Sequence, residues 1–135
     1  MHCGLLVFLM NGANSPFELT FEKRPNYLFA RVNADTISGD VALQYLSDIA
    51  NECSQSGYDK VLIVRDIPAM LDTGTLFFTT GEFLEMIGPT QVAFVNPHSS
   101  IQQSMDFAIM IGTNRGANYR LFEDEAEAEK WLLAD

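Results

Sequence analysis

The sequence predicts a single α/β domain with a mixed sheet, in which an antiparallel hairpin lies at one side and parallel strands joined by helical crossovers at the other. Two neighbouring segments with an alternating pattern, residues 17–23 and 27–34, predict the hairpin. Short apolar runs then alternate with segments of helical period, and a helix between two strands of one sheet favours parallel pairing. A chain of 135 residues can bury a full core without a metal or disulfide.

The hairpin comes first in this order. Every second side chain of residues 17–21 is apolar, which is typical of a strand with one face in water. Pro25 and Asn26 then turn the chain, and residues 27–34 return beside the first strand. These two strands form the antiparallel side of the predicted sheet.

Four helices are predicted from apolar residues that recur at three- and four-residue steps. Their predicted starts are Ser38 or Asp40, about Thr75, Ser99 or Ser100, and Asp124. Side-chain oxygens at such positions accept hydrogen bonds from the free amides of a first helical turn. Strands at residues 61–64, 91–95 and 118–122 complete the order β-β-α-β-α-β-α-β-α.

Residues 60–76 carry the pattern most relevant to function. An unbroken apolar run at residues 61–64 predicts a strand buried on both faces in the middle of the sheet. Polar and turn-forming residues then predict a loop, and Thr73 or Thr75 is predicted to cap the next helix. Ligands of α/β proteins bind outside the carboxyl ends of strands. The candidate binding residues are therefore Asp66, Asp72, Thr73, Thr75, Phe77 and Phe78.

Charge and cysteine content restrict the class of partner. The chain has 18 acidic and 8 basic residues, and its net charge of -10 opposes binding to nucleic acids and anionic membranes. Cys3 and Cys53 lack the spacing of a paired motif, and Cys53 falls on the apolar side of the first predicted helix. Reduced thiols in a chain with a full core predict a cytoplasmic protein.

Residues 1–16 are predicted to be an N-terminal extension or an edge segment, with the domain itself spanning residues 17–135. The apolar stretch GLLVFLM, residues 4–10, is too short to span a bilayer and lacks the preceding basic residues of a signal peptide. A turn-rich break follows it. A targeting role is therefore not expected.

Two segments within this order of elements resemble the SpoIIAA-like branch of the STAS domain superfamily. They are the loop MLDTGTL, residues 70–76, and the closing YRLFEDEAEAEKWLL, residues 119–133. The resemblance covers residues 17–135 and implies a non-enzymatic regulatory module that binds proteins. The fold of SpoIIAA-like proteins is also similar to that of lipid-binding domains of the Sec14 type, which implies an apolar ligand or a protein partner.

In the STAS domains that are switched by phosphorylation, the loop carries a modifiable Ser in an Asp-Ser-Ser-Gly setting. Here Asp72 fits the Asp and Thr73 the first Ser, whereas Gly74 stands where the modified Ser would be. The resemblance therefore implies phosphorylation only if Thr73 or Thr75 has taken over, and this departure disfavours a kinase-switched antagonist.

Catalysis is not expected from the residue pattern. Neither His2 nor His98 has a ligand or catalytic partner at motif spacing, and His98 is predicted to be an exposed turn residue. Asp66 and Asp72 can form an acid/base pair beside Thr73, but loop aspartates more commonly bond their own backbone. No phosphate-binding loop or nucleophile elbow occurs. We predict no enzyme activity, no cofactor and no metal site.

Two functional hypotheses remain. In the first, the chain binds a protein partner or its own copy through the loop and helix that include Phe77 and Phe78, because Phe78 lies near Glu82 and Glu85 on the wet side. In the second, it carries an apolar small molecule or acyl chain between the second and third helices and the sheet. Deep burial of both helices in a tight domain or a dimer explains the same pattern equally well.

Overall fold

The computed structural model describes residues 5–9 and 16–134, and for residues 5–9 only the backbone is considered. Predictions that fall on residues 1–4, 10–15 and 135, which include His2, Cys3 and most of the N-terminal segment, lie outside the described residues.

The described chain contains six strands and four α-helices. The strands are β1 (Leu5–Leu9), β2 (Glu18–Lys23), β3 (Leu28–Asn33), β4 (Lys60–Asp66), β5 (Gln91–Val95) and β6 (Asn118–Phe122). The helices are α1 (Gly39–Ser56), α2 (Thr73–Ile87), α3 (Gln102–Asn114) and α4 (Glu125–Leu133). A 3₁₀ turn, Ser99–Ile101, precedes α3.

All six strands belong to one sheet, and their order in the sheet is their order in the chain. β1 pairs antiparallel with β2, and β2 pairs antiparallel with β3. The pairs β3–β4, β4–β5 and β5–β6 are parallel, as their helical crossovers require. The mixed α/β fold class predicted from the sequence is confirmed, and β4 lies between β3 and β5 in the interior of the sheet.

The two faces of the sheet are covered unequally. α1, α2 and α3 cover one face, here called the three-helix face, over a large buried cluster that includes Phe21, Val32 and Ile63. α4 alone covers the other, here called the α4 face, over a smaller cluster that includes Val64 and Leu132. Because successive residues of a strand point to opposite faces, β4 contributes to both clusters.

Helix α2 begins differently from the sequence prediction. Its N-cap is Asp72, whose carboxylate accepts hydrogen bonds from the amide and the hydroxyl of Thr75. Thr73 and Thr75 are therefore not the cap, and the prediction was wrong by one to three residues. A carboxylate is as good an N-cap as a hydroxyl. Asp72 also has the extended backbone angles that an N-cap residue adopts.

Helix α3 also begins without the serine cap predicted for it. Ser99 and Ser100 lie in the 3₁₀ turn, and neither the turn nor α3 has a side-chain cap. Instead the buried amide group of Asn96 organises the turn: its Nδ2 donates to the carbonyl of His98 and its Oδ1 accepts from the amide of the same residue. The start of α4 conforms to prediction, since the Asp124 carboxylate accepts a hydrogen bond from the amide of Glu127.

Candidate functional site

A partly enclosed cavity lies between the three-helix face of the sheet and its helices. Its volume is about 60 Å³, and its surface is predominantly apolar. α2 contributes Leu76, Thr79, Thr80 and Phe83 to the wall. Since one water needs a cavity of only about 10–15 Å³, this space can admit a small apolar group or several waters.

The other walls of the cavity come from elements on every side. α1 contributes Ala42, Tyr45 and Leu46, and α3 contributes Met105, Ala108 and Ile109. The sheet and the loop after β4 contribute Arg65, Met70, Leu71, Phe94 and Tyr119. Aromatic and methionine side chains in such a wall can adjust to an apolar guest without a change of fold.

The cavity does not lie at a point where the strand order reverses, which is where open α/β sheets most commonly bind ligands. Here the order runs in one direction and the crossovers α1, α2 and α3 lie on one face. No crevice opens between oppositely directed crossovers. The free space lies instead between the helices and the sheet, near the carboxyl end of β4.

Arg65 is the charged residue of the cavity wall, and it is only 5% exposed. Its Nη1 donates to the carbonyl of Ile67 at 3.0 Å and its Nη2 to the carbonyl of Ala69 at 2.9 Å. It forms no ion pair with a carboxylate of the described residues. A buried cation is normally paired, so this guanidinium is an exception that needs an explanation.

Tyr119 lies in the same wall and is 6% exposed. Its ring packs edge-on against Phe94 and fits closely against Gly112 of α3, where an added Cβ would lie 2.6 Å from ring carbon Cδ2. The hydroxyl is buried without a hydrogen-bond partner among the described residues, and burial raises the pKa of Tyr119 well above its ordinary value. Gly112 is therefore the residue that lets α3 approach β6 this closely.

The loop residues predicted as a site fall into two separate groups. Asp72 and Thr75 form the cap of α2, and Thr73 is exposed in its first turn. The amide and then the hydroxyl of Thr75 hold the pKa of Asp72 below its usual range. Thr73 is therefore accessible to solvent, while the Thr75 hydroxyl is engaged with Asp72.

Asp66 belongs to a different group, on the α4 face. Its Oδ1 lies 2.7 Å from His98 Nε2, and its Oδ2 accepts a hydrogen bond from Arg31 at 3.3 Å. Arg31 also lies 3.7 Å from a carboxylate oxygen of Glu125. Asp66 and Asp72 thus have different partners, and the structure does not bring them together as an acid/base pair.

His98 is not the freely exposed turn residue that the sequence predicts. Its side chain is 29% exposed and bonds to Asp66, which lies 32 residues earlier in the chain. The parallel pairing of β4 and β5 brings the two together, because Asp66 is the last residue of β4 and His98 lies just beyond the carboxyl end of the adjacent strand β5. The network of Arg31, Asp66, His98 and Glu125 links β3, β4, the turn after β5 and α4.

Phe77 and Phe78 lie on the outer side of α2. They are 50% and 57% exposed, which confirms that Phe78 faces solvent. The guanidinium of Arg115, just after α3, lies 4.4 Å from the ring centre of Phe77. Phe77 is thus partly covered within the domain, whereas Phe78 has no ring or cation contact with the described residues.

Other reactive groups are few in the part of the chain that is described. Residues 5–9 and 16–134 contain no cluster of three or more His, Cys, Asp or Glu suited to a metal ion. The Cys53 side chain of α1 packs in the core, and this burial, followed by the charge of Glu52, raises the pKa of its thiol to about 12, which disfavours the reactive thiolate. None of the described helices has the length and apolar character needed to cross a membrane.

The sequence interpretation missed Arg65. The signal was present, because Arg65 directly continues an apolar run and alternation places it on the same face as Val61 and Ile63. A charge at the end of a buried strand is expected to leave the core. Only the course of the loop after β4 shows that this one stays inside.

No model of a known protein family matches the chain, and no curated protein matches it. The resemblance to SpoIIAA-like STAS domains therefore remains a prediction that rests on residues 70–76 and 119–133.

Proposed function

We propose that this protein binds an apolar small molecule in the cavity beneath α1, α2 and α3, without chemical change to that molecule. The observation that carries the proposal is the cavity itself, which is lined mainly by apolar side chains. Natural interiors are packed to the density of organic crystals, so an apolar space of this kind is an exception. The cytoplasmic location predicted from the cysteines is part of this proposal.

The ligand enters an environment that accepts it at little cost. Leu76, Phe83 and Ile109 offer apolar contact from two helices, and burial of apolar surface contributes about 25 cal/mol per Å². Met70 and Leu71, in the loop after β4, complete this apolar wall. A neutral amphiphile such as 1-octanol is a suitable probe, because the cavity is only partly enclosed and the part of the chain that exceeds its volume can extend through the open side.

Titration with 1-octanol in a thermal-shift experiment tests the proposal. We expect a saturable rise in the melting temperature of the wild-type protein, because a ligand that binds only the folded state stabilises it. Ala108→Phe places a ring in the cavity and is expected to abolish the rise. Ala126→Phe is the matched control, since Ala126 is exposed on α4 and does not line the cavity.

Native mass spectrometry of freshly purified protein provides a second reading, because a resident ligand adds its mass to the folded chain. A clean apo mass together with no octanol shift in the wild type would remove the proposal. An equal shift in wild type and Ala108→Phe would show that octanol binds elsewhere on the surface.

A second function is favoured by Phe78, which is exposed on α2 beside Phe77, itself 50% exposed. Adjacent exposed apolar side chains are typical of a surface that binds a protein partner or a second copy of the chain. Phe78→Ala is expected to shift sedimentation velocity toward the monomer, with Leu133→Ala on α4, 44% exposed in the wild type, as the control. Identical sedimentation of wild type and Phe78→Ala would argue against self-association through α2.

A further inference from the structure

We infer that the cavity selects a ligand with an anionic end, a carboxylate above all, and that Arg65 binds that end. This inference rests on the proposed function and assigns the charged group of the same ligand. The ligand is then an amphiphile whose apolar part occupies the space among α1, α2 and α3 and whose carboxylate meets the guanidinium.

The charge of Arg65 favours an anionic ligand. A guanidinium keeps its charge at every pH that a protein normally meets, so burial cannot neutralise it. Arg65 is 95% buried on the three-helix face, and no carboxylate of the described residues pairs with it. Two carbonyl dipoles supply partial compensation from Ile67 and Ala69. The full negative charge of a ligand carboxylate would complete the compensation of the guanidinium charge.

The remaining N–H donors of Arg65 favour the same kind of ligand. A guanidinium has five N–H groups, and two of them donate to the carbonyls of the loop, which leaves three. The free donors belong to a planar group that matches the two oxygens of a carboxylate. The carbonyl bonds fix the guanidinium in place, so a ligand would find it already oriented.

The position of Arg65 in the cavity wall sets the orientation of such a ligand. Arg65 lines the cavity together with Met70 and Leu71, while its carbonyl partners lie just before them in the loop. The charged end of a ligand would therefore rest against the loop after β4. Its apolar part would extend toward Phe83 and Ile109, away from the guanidinium along the helices.

Arg31, on the neighbouring strand β3, differs from Arg65 in exposure and in its partners. Arg31 lies on the α4 face, is more exposed, and already bridges the carboxylates of Asp66 and Glu125. Because two carboxylates already lie beside Arg31, we do not expect it to bind a further anion. Its replacement is therefore a matched control for a charge change of one unit.

Octanoate and 1-octanol, which share one carbon chain, test the inference. By calorimetry at pH 7, the wild-type protein is expected to bind octanoate at least about tenfold more tightly than octanol, because a carboxylate forms two charge-assisted hydrogen bonds with a guanidinium whereas the octanol hydroxyl is neutral and has one oxygen. Arg65→Gln is expected to remove this preference while octanol still binds, and Arg31→Gln is expected to keep it.

The possible outcomes test the role of Arg65 separately from the proposed function. Equal affinity of the wild type for octanoate and octanol overturns the role of Arg65 but leaves the proposed function standing, whereas binding of neither overturns both. Retention of the octanoate preference in Arg65→Gln also overturns it. If Arg65→Gln does not fold, the wild-type ratio of the two affinities decides alone.

Discussion

Arg65 and Asp66 are consecutive residues of β4, yet their charges are handled in opposite ways. Asp66 points to the α4 face, is partly exposed, and has two cationic or polar partners, Arg31 and His98. Arg65 points to the three-helix face, is buried, and has only carbonyl partners. The carboxylate on the α4 face thus has a charged partner, whereas the guanidinium on the three-helix face has none among the described residues and lies beside free space.

The largest loss of stability should follow truncation of a side chain in the apolar core of the three-helix face. Ile63→Ala is expected to lower the free energy of unfolding by about 2–5 kcal/mol, because the fully buried side chain leaves a cavity that the sheet cannot close. Leu132→Ala on the α4 face should cost less, since the short terminal helix can shift to fill the space. Urea denaturation measures both, and an equal loss would show that the two faces are equally rigid.

The next largest loss of stability should come from replacing Arg65, and replacing Arg31 should cost less. Arg65→Ala is expected to cost about 1–3 kcal/mol, because two loop carbonyls lose their donors inside the protein. Arg31→Ala should cost about 0–1 kcal/mol, since its ion pairs are partly exposed. The same denaturation experiment decides, and a larger loss for Arg31→Ala would reverse the comparison.

Two tyrosines extend the comparison to neutral polar groups. Tyr119→Phe on the three-helix face should leave stability unchanged or raise it by up to about 1 kcal/mol, because the buried hydroxyl has no partner among the described residues. Tyr27→Phe on the α4 face should lower stability by about 1–2 kcal/mol, because that hydroxyl donates to Glu129 and accepts from Arg24. Thermal unfolding of the two variants should therefore shift in different directions or by clearly different amounts.

The smallest effect is the pH dependence of the α2 cap. Because the folded-state pKa of Asp72 is lower than its ordinary value of 3.8, its contribution to stability is complete above that value and is lost as the pH falls through the folded pKa. Asp72→Asn keeps a capping side chain that does not titrate. The stability difference between wild type and Asp72→Asn should be constant from pH 5 to 7 and change only below about pH 4.

The element order was predictable because each signal is local. Alternation marks β2 and β3, helical period marks α1 and α2, and Gly57 with a left-handed φ of 75° ends α1 where the sequence indicates. The cap of α2 was misassigned because Asp72, Thr73 and Thr75 are all good capping residues within four positions. Sequence alone does not say which of them takes the extended backbone.

The site was less predictable because it depends on contacts between distant segments. His98 meets Asp66 only through the register of parallel strands, which no local pattern encodes. Arg65 remains inside only because the loop turns two carbonyls toward it. The predicted Phe78 exposure could be read from helical period, since it needs only the position of the apolar stripe.

The matching order of strands in chain and sheet has a consequence for assembly. Each strand from β2 to β6 pairs with the one made just before it, so a sheet growing from the N-terminus always offers a ready edge to the next segment leaving the ribosome. No strand has to be inserted between two that are already paired. The chain can therefore build its sheet in the direction of synthesis, and α4 closes the uncovered side last.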